Sequence, residues 1–579
     1  MPPIDWSAVL QRVAKSFNPV TSSPGAPFET GAFLDSFGPS LMPRTSMTQG
    51  FMTGLVVLTA RASTAQVERI TGIMVPSDAA LTRKVGARAV VAGAGAAAAA
   101  LPERDGEHLW RSGVRSGGRL LLAGALGGAL YDVGTNLADR LPSARGIRPA
   151  LMTGAAAAGV ALWANRRLAR RKKEIARWPV AQQNTLPHAV VAGTAVTAVG
   201  MGLARGYGFT RDALIGYLGP GPSKQVIARA TNAALWALGA TAAYHAGVGY
   251  IGRANEKVES GYATAPELPL VSGSPESFSA FEHLGQQGRR YVTDVVTSDL
   301  IEGVMDEPAV AHPIRTYVGF NSEPLYVTGR AEIALAELER TGAFDRTYLL
   351  LVAPTGTGWV DQTMIESAEL LTRGDIATCC IQYGRYPSFL ALQKVPLGRQ
   401  QFRFLLWGVA QRLRERPPER RPKVLVFGES LGAWASSDVI MYQGIEGFDH
   451  YGIDRALWIG LPGLAKWSRN GMESGSSELV PEGTVGVFDR HEQLAALGDE
   501  ERARLRAVIL SHDNDPIAAI APELLVQRPD WLAGERGRGV PRRRALAADR
   551  DVLADRRRRH ERHGDRPRRV RILRPRLPG

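Results

Sequence analysis

The run KVLVFGESLGAWASSD (423–438) sets Gly428, Glu429, Ser430, Leu431 and Gly432 between a short apolar stretch and a stretch of small residues with helical character. A serine with a glycine two residues away on either side suits nucleophilic chemistry. On a tight strand-to-helix turn its hydroxyl projects from the sheet, and the glycines leave room for neighbouring backbone. The N–H of Leu431, at the start of the helix, points toward a developing oxyanion. The plainer reading is a structural turn with an incidental serine, and the strand-turn-helix setting favours the nucleophile. A second oxyanion donor is expected from the loop after an earlier strand. APTGTGW (353–359) is such a loop, and the backbone N–H groups of Gly356 and Thr357 can approach a substrate oxygen. A phosphate-binding loop competes with that reading, but no GK[ST] follows.

A serine nucleophile on such a turn calls for an acid and then a histidine later in the chain. RAVILSHDNDPI (506–517) supplies Asp513 and Asp515 just beyond a strand. Asp515 is preferred, because Pro516 and Ile517 fix the loop behind it. His512 precedes the acid on the same strand end and is a poor base. His512, Asp513 and Asp515 could be read as metal ligands, but no further ligand cluster accompanies them, so no metal and no cofactor are expected. The adjacent Cys379 and Cys380 cannot reach disulfide geometry without strain and read as buried thiols.

The elements that must position these residues begin near residue 315. Apolar runs at 348–354, 376–383, 423–428, 456–462 and 506–512 alternate with amphipathic stretches at 331–342, 360–373 and 387–415. Near-continuous apolar strands separated by helices predict a mostly parallel sheet covered on both faces, with its site at the carboxyl ends of the strands.

The N-terminal half is different. Uncharged, Ala/Gly-rich stretches at about 46–60, 86–101, 120–131, 148–164, 188–203 and 231–251 recur with short connections. Of these, 231–251 comes closest to the roughly 20 apolar residues of a full span. A soluble Ala-rich helical domain is the alternative. The recurrence, the charge-free centres and the GxxxG spacing of Gly124 and Gly128 favour a membrane-embedded helical bundle contacting lipid. RRLARRKKEIAR (166–177) reads as a cytoplasmic loop, and two further crossings would put the C-terminal half on the cytoplasmic side. A transporter would want ionisable groups inside the spans, and only His245 lies within one. The predicted organisation is a membrane domain over 1–252, a Gly/Pro/Ser-containing linker over 253–275, an α/β domain over 276–538 and an Arg-rich tail over 539–579.

The net charge of +14 resides largely in that tail, where residues 536–579 hold 17 Arg against five acids. A basic field across the whole protein, and with it nucleic acid as a partner, is not supported. No cleavable signal peptide is read at the N-terminus.

Over most of its length, to about residue 538, the sequence resembles the actinobacterial membrane-linked α/β-hydrolases. The resemblance rests on FGPSLMPRTSMTQG (37–50), ELERTGAFDR (337–346), APTGTGW, IQY and PSFL (381–390), FGESLGAWAS (427–436), VFDRHEQLAAL (487–497), LSHDNDPI and LLVQRPDWL. It implies a multi-spanning N-terminal domain, an α/β-hydrolase catalytic domain, Ser430 as nucleophile and Asp515 as triad acid. The expected activity is a membrane-anchored serine hydrolase on small-molecule or lipid-derived esters or thioesters, impaired in this chain by an aberrant C-terminus. A non-catalytic membrane protein using the fold as an interaction module is the alternative. The family's histidine lies in a C-terminal Gly-His segment that this chain lacks. From about Arg542 the tail has the Arg-rich, aromatic-free composition of a GC-rich gene read out of frame, and a one-base shift can regenerate a Gly-His segment. His560 and His563 lie on this charged arm, which is expected to be disordered and unable to hold either against Ser430.

Overall fold

A computed structural model describes residues 23–36, 46–103, 107–139, 186–255, 257–322, 326–465, 478–512, 515 and 517–518. The candidate span 148–164, the basic run 166–177, Asp513 and the Arg-rich tail lie outside the described residues. The chain divides into two compact units, and the division falls between Leu238 and Gly239, inside one long helix, rather than at residue 252.

The first unit is helical, built from Ala26–Ser36, Ser46–Met74, Leu81–Ala99, Leu109–Asp139, Leu186–Leu218 and the start of Pro222–Asn255. These helices run well past the charge-free stretches because turns of polar residues continue them without a breaker. Among the described residues one helix, Pro187–Leu218, is long and apolar enough to cross a membrane. The expectation that 231–251 is the cleanest span is therefore corrected. Within 231–251 itself Asn232, His245, two threonines, two tyrosines and three glycines lower the apolarity of the stretch.

Among the described residues of this unit Val67, Val91 and Ala125 form a small apolar cluster. Polar groups fill much of the rest. Arg88 is 5% exposed and pairs with Glu68 and, at 2.7 Å, with Asp132, so it ties three helices together. Gln49 Nε2 donates to the Ser36 carbonyl at 3.0 Å and to Thr53 Oγ1 at 3.1 Å. Large apolar side chains such as Val199, Leu203 and Phe209 point outward. The small residues serve two ends. A β-carbon on Gly95 would lie 2.7 Å from the Leu122 nitrogen, so two helix backbones meet there. Gly128, expected to serve helix packing, instead makes room for the Arg88 guanidinium, which a β-carbon would overlap. Gly124 faces Val67 Cγ2 at 3.2 Å and Ser63 Oγ at 3.4 Å from the position of such a carbon.

Among the described residues the second unit is built on a seven-stranded parallel sheet in the order β1-β3-β2-β4-β5-β7-β6. The strands are β1 (Ile314–Val318), β2 (Tyr348–Ala353), β3 (Ile376–Ile381), β4 (Lys423–Glu429), β5 (Arg455–Ile459), β6 (Val485–Phe488) and β7 (Ala507–Leu510). Side chains alternate across the sheet, as the period of two requires. Leu349 and Leu351 join a core with helices Val327–Arg340, Val395–Arg414 and Leu431–Ile440, whereas Leu350 and Val352 face Gln286–Thr293 and Gln362–Leu371. Cys379 and Cys380 fall on opposite faces and are free, and burial pushes the Cys379 thiol up to about 12.

Two strands escape the apolar pattern. β1 (IRTYV) contains Arg315, which is buried because its guanidinium grips Glu369 at 2.5 and 2.7 Å. β6 is only four residues long, with a glycine inside it. The expected linker is also shorter than its composition suggests. Val271 bridges to Arg315 and is fully buried. The buried Glu337 carboxylate accepts from Ser272 Oγ at 2.6 Å, Ser277 Oγ at 2.9 Å and the Phe278 N–H at 2.7 Å. Residues 271–275 thus belong to the α/β unit, held by backbone pairing that composition does not reveal.

Candidate active site

Ser430 sits where β4 ends and helix Leu431–Ile440 begins, with φ 53° and ψ −121°. A side chain at positive φ costs of order 1–3 kcal/mol and persists only where the surroundings enforce it. The enforcing contacts are visible. The Ser430 N–H donates to the Ile459 carbonyl at 2.9 Å, and the Ser430 carbonyl accepts the Trp434 N–H at 3.1 Å. Behind the turn, Trp458 Nε1 donates to Ser436 Oγ at 3.0 Å, and that hydroxyl donates to the Gly432 carbonyl at 2.8 Å. Both flanking glycines are required sterically. A β-carbon at Gly428 would lie 2.7 Å from Ser436 Oγ, and one at Gly432 would overlap the carbonyl oxygens of Ala353 and Pro354. The latter contact brings the start of the helix, and with it the N–H of Leu431, against the 353–359 loop.

That loop is a tight turn in which the Gly358 N–H donates to the Thr355 carbonyl at 2.9 Å and the Thr355 N–H to the Trp359 carbonyl at 3.0 Å. It is held from below by Tyr317 Oη, donating to the Gly358 carbonyl at 2.9 Å, and by Gln382 Nε2, donating to the Thr357 carbonyl at 2.9 Å. Among the described residues none accepts from the N–H groups of Gly356 or Thr357. Both remain available to an incoming oxygen.

Asp515 lies beyond β7. Its N–H donates to the His512 carbonyl at 2.9 Å, and its Oδ1 accepts the Ile517 N–H at 2.8 Å. Its Oδ2 is 3.3 Å from where a β-carbon on Gly460 would stand. Gly460 follows Ile459, the residue that receives the Ser430 N–H, so the acid reaches the same end of the sheet as the serine. His512 turns the other way. Its Nδ1 is 2.7 Å from the Asp489 carbonyl oxygen at the end of β6, and its side chain is largely exposed. Among the described residues no imidazole is hydrogen-bonded to Ser430 or Asp515, and His560 and His563 lie outside them.

Two site residues carry no sequence signal strong enough to find them. Ser388 accepts a hydrogen bond from the Ser430 hydroxyl at 3.3 Å although 42 positions separate them. Glu429, the residue before the serine, has Oε2 buried without a partner among the described residues. Burial and, secondarily, the nearby negative charge of Asp361 raise its carboxyl to about 7.

Comparison with known families gives two matches. A model described as the alpha/beta-hydrolase family matches residues 314–546. The second unit carries an α/β-hydrolase domain. A further model, described as the N-terminus of the alpha/beta-hydrolase family, matches residues 108–294. It runs from the helical unit across the expected linker into the second unit. No curated protein and no solved structure matched the chain.

Proposed function

We propose that the chain is a membrane-anchored serine hydrolase for ester or thioester bonds, lipid-derived substrates among them. The observation that carries this reading is the strained Ser430, enforced by its neighbours at the carboxyl end of β4 beside a loop with two free N–H groups. In this reading Ser430 Oγ attacks the acyl carbonyl, and the N–H groups of Leu431, Gly356 and Thr357 hold the oxyanion. The cycle requires an imidazole, oriented by Asp515, to take the serine proton and return it to the leaving alcohol or thiol, and loss of the family's C-terminal Gly-His segment would impair that step in this chain. Membrane anchoring is supported by the outward apolar side chains and polar interior of the helical unit, and by the apolar helix Pro187–Leu218. The basic run 166–177 favours a cytoplasmic hydrolase domain.

A second reading, the hydrolase fold as a non-catalytic interaction module, is favoured by the lack of an imidazole on Ser430 among the described residues. Labelling of the full chain with a fluorophosphonate decides between them. Covalent labelling of the wild type that disappears in Ser430→Ala is the expected result. Equal labelling of that variant removes the nucleophile assignment, and no labelling of the wild type supports the non-catalytic reading. Asp515→Asn is expected to lower kcat by about 10⁴, the loss that accompanies a misoriented imidazole.

A further inference from the structure

Among the described residues, Ser388 is the side chain hydrogen-bonded to the Ser430 hydroxyl. It accepts that bond at 3.3 Å, which leaves its own proton free to donate elsewhere. Its position is built. Ser388 opens a 3-10 turn, Ser388–Leu390, in which the Leu390 N–H donates to the Pro387 carbonyl at 2.8 Å and the Ala391 N–H to the Ser388 carbonyl at 3.1 Å. The turn is stacked on the 353–359 loop: a β-carbon at Gly356 would lie 2.8 Å from Ala391 Cβ, 2.9 Å from the Tyr386 carbonyl oxygen and 3.2 Å from Ser388 Cα. Gly384 approaches the same residue, 2.6 Å separating the Gly356 carbonyl oxygen from where its β-carbon would stand. Ser388 is therefore held between Ser430 Oγ and the backbone expected to receive the oxyanion.

We infer that Ser388 is a side-chain oxyanion donor. The inference rests on Ser430 being the nucleophile. When Oγ bonds to the acyl carbon, the carbonyl π pair moves onto oxygen, and that oxygen is two bonds from Oγ. A hydroxyl already in contact with Oγ on the loop side is then within reach of the new negative charge. The Ser430 proton leaves to the general base that this reading requires, so the bond that Ser388 accepts at rest is lost. Its hydroxyl rotates and donates to the oxyanion, and Ser388 keeps its proton throughout. The hydroxyl thus binds the transition state more tightly than the ground state, which is the requirement for raising kcat.

The test uses the full chain in detergent, with p-nitrophenyl acetate as substrate and a fluorophosphonate as covalent probe. Ser388→Ala should lower kcat by about 10²–10³ with little change in KM, as for removal of one oxyanion donor. The rate of phosphonylation should fall in parallel, while prolonged exposure still labels Ser430. Ser388→Thr, which restores a hydroxyl, should recover most of both rates, and Ser388→Val should not. Wild-type rates in Ser388→Ala overturn the inference, as does a Ser388→Thr variant as impaired as Ser388→Ala, because that pattern is structural. A wild type that no probe labels overturns the catalytic reading on which the inference rests and is thereby distinguished from failure of Ser388 alone.

Discussion

The two units of this chain bury opposite things. In the hydrolase domain the sheet is clad on both faces by apolar side chains, and the buried charge pair Arg315–Glu369 is an exception satisfied on every side. In the helical unit the interior holds Arg88 with two carboxylates, a Gln-Ser-Thr network and very little aliphatic core, while Val, Leu and Phe face outward. One pattern suits water, where apolar burial drives folding. The other suits lipid, which gives helices no hydrophobic reason to associate and leaves small-residue packing and polar contacts to hold them.

That contrast can be broken most severely at its buried charges. Glu369→Ala leaves Arg315 unpaired inside the sheet, and denaturant unfolding should show a loss of about 3–5 kcal/mol. Glu68→Ala removes one of two carboxylates from Arg88 and leaves Asp132 in place, so its loss should be clearly smaller. Equal losses would mean that the helical interior is as intolerant of an unpaired charge as the sheet.

The outward faces give the next effect. Val199 is 63% exposed on helix Leu186–Leu218, and Leu371 is 75% exposed at the end of Gln362–Leu371. Val199→Lys should cost about 2.5–3.5 kcal/mol of membrane insertion, read as a fall in the carbonate-resistant fraction. Leu371→Lys should alter unfolding by no more than about 0.5 kcal/mol. An unchanged carbonate-resistant fraction in Val199→Lys would place that helix face in water.

The smallest effect concerns Glu429. Its carboxyl is raised from 4.5 to about 7 in the folded domain, chiefly by burial, so the fold favours the neutral form. Stability from this group is intact below the ordinary carboxyl range and declines as pH rises from 4.5 through about 7. Glu429→Gln should therefore melt roughly a few degrees higher than wild type at pH 8 and alike at pH 4. A variant with the same advantage at both pH values would detach the effect from ionisation.

Much of this protein was legible as local pattern. The elbow around Ser430, the runs that became β2, β3, β4, β5 and β7, and the arrival of Asp515 just past a strand all follow from residues within a dozen positions of one another. Short-range rules suffice there, because strand alternation, a tight turn and a helix start are determined by neighbours in sequence. What the tertiary structure alone decided involves partners far apart in the chain. Arg315 can sit in a strand because Glu369 meets it, 54 positions away. β6 precedes β7 in sequence yet lies outside it at the sheet edge, since parallel strands need crossovers that spacing does not order. Gly128 reads as a helix-packing glycine until Arg88 is seen to occupy its space. Ser388, unremarked within PSFL, becomes a neighbour of Ser430 only when β3 and β4 are laid on either side of β2 and their carboxyl ends converge.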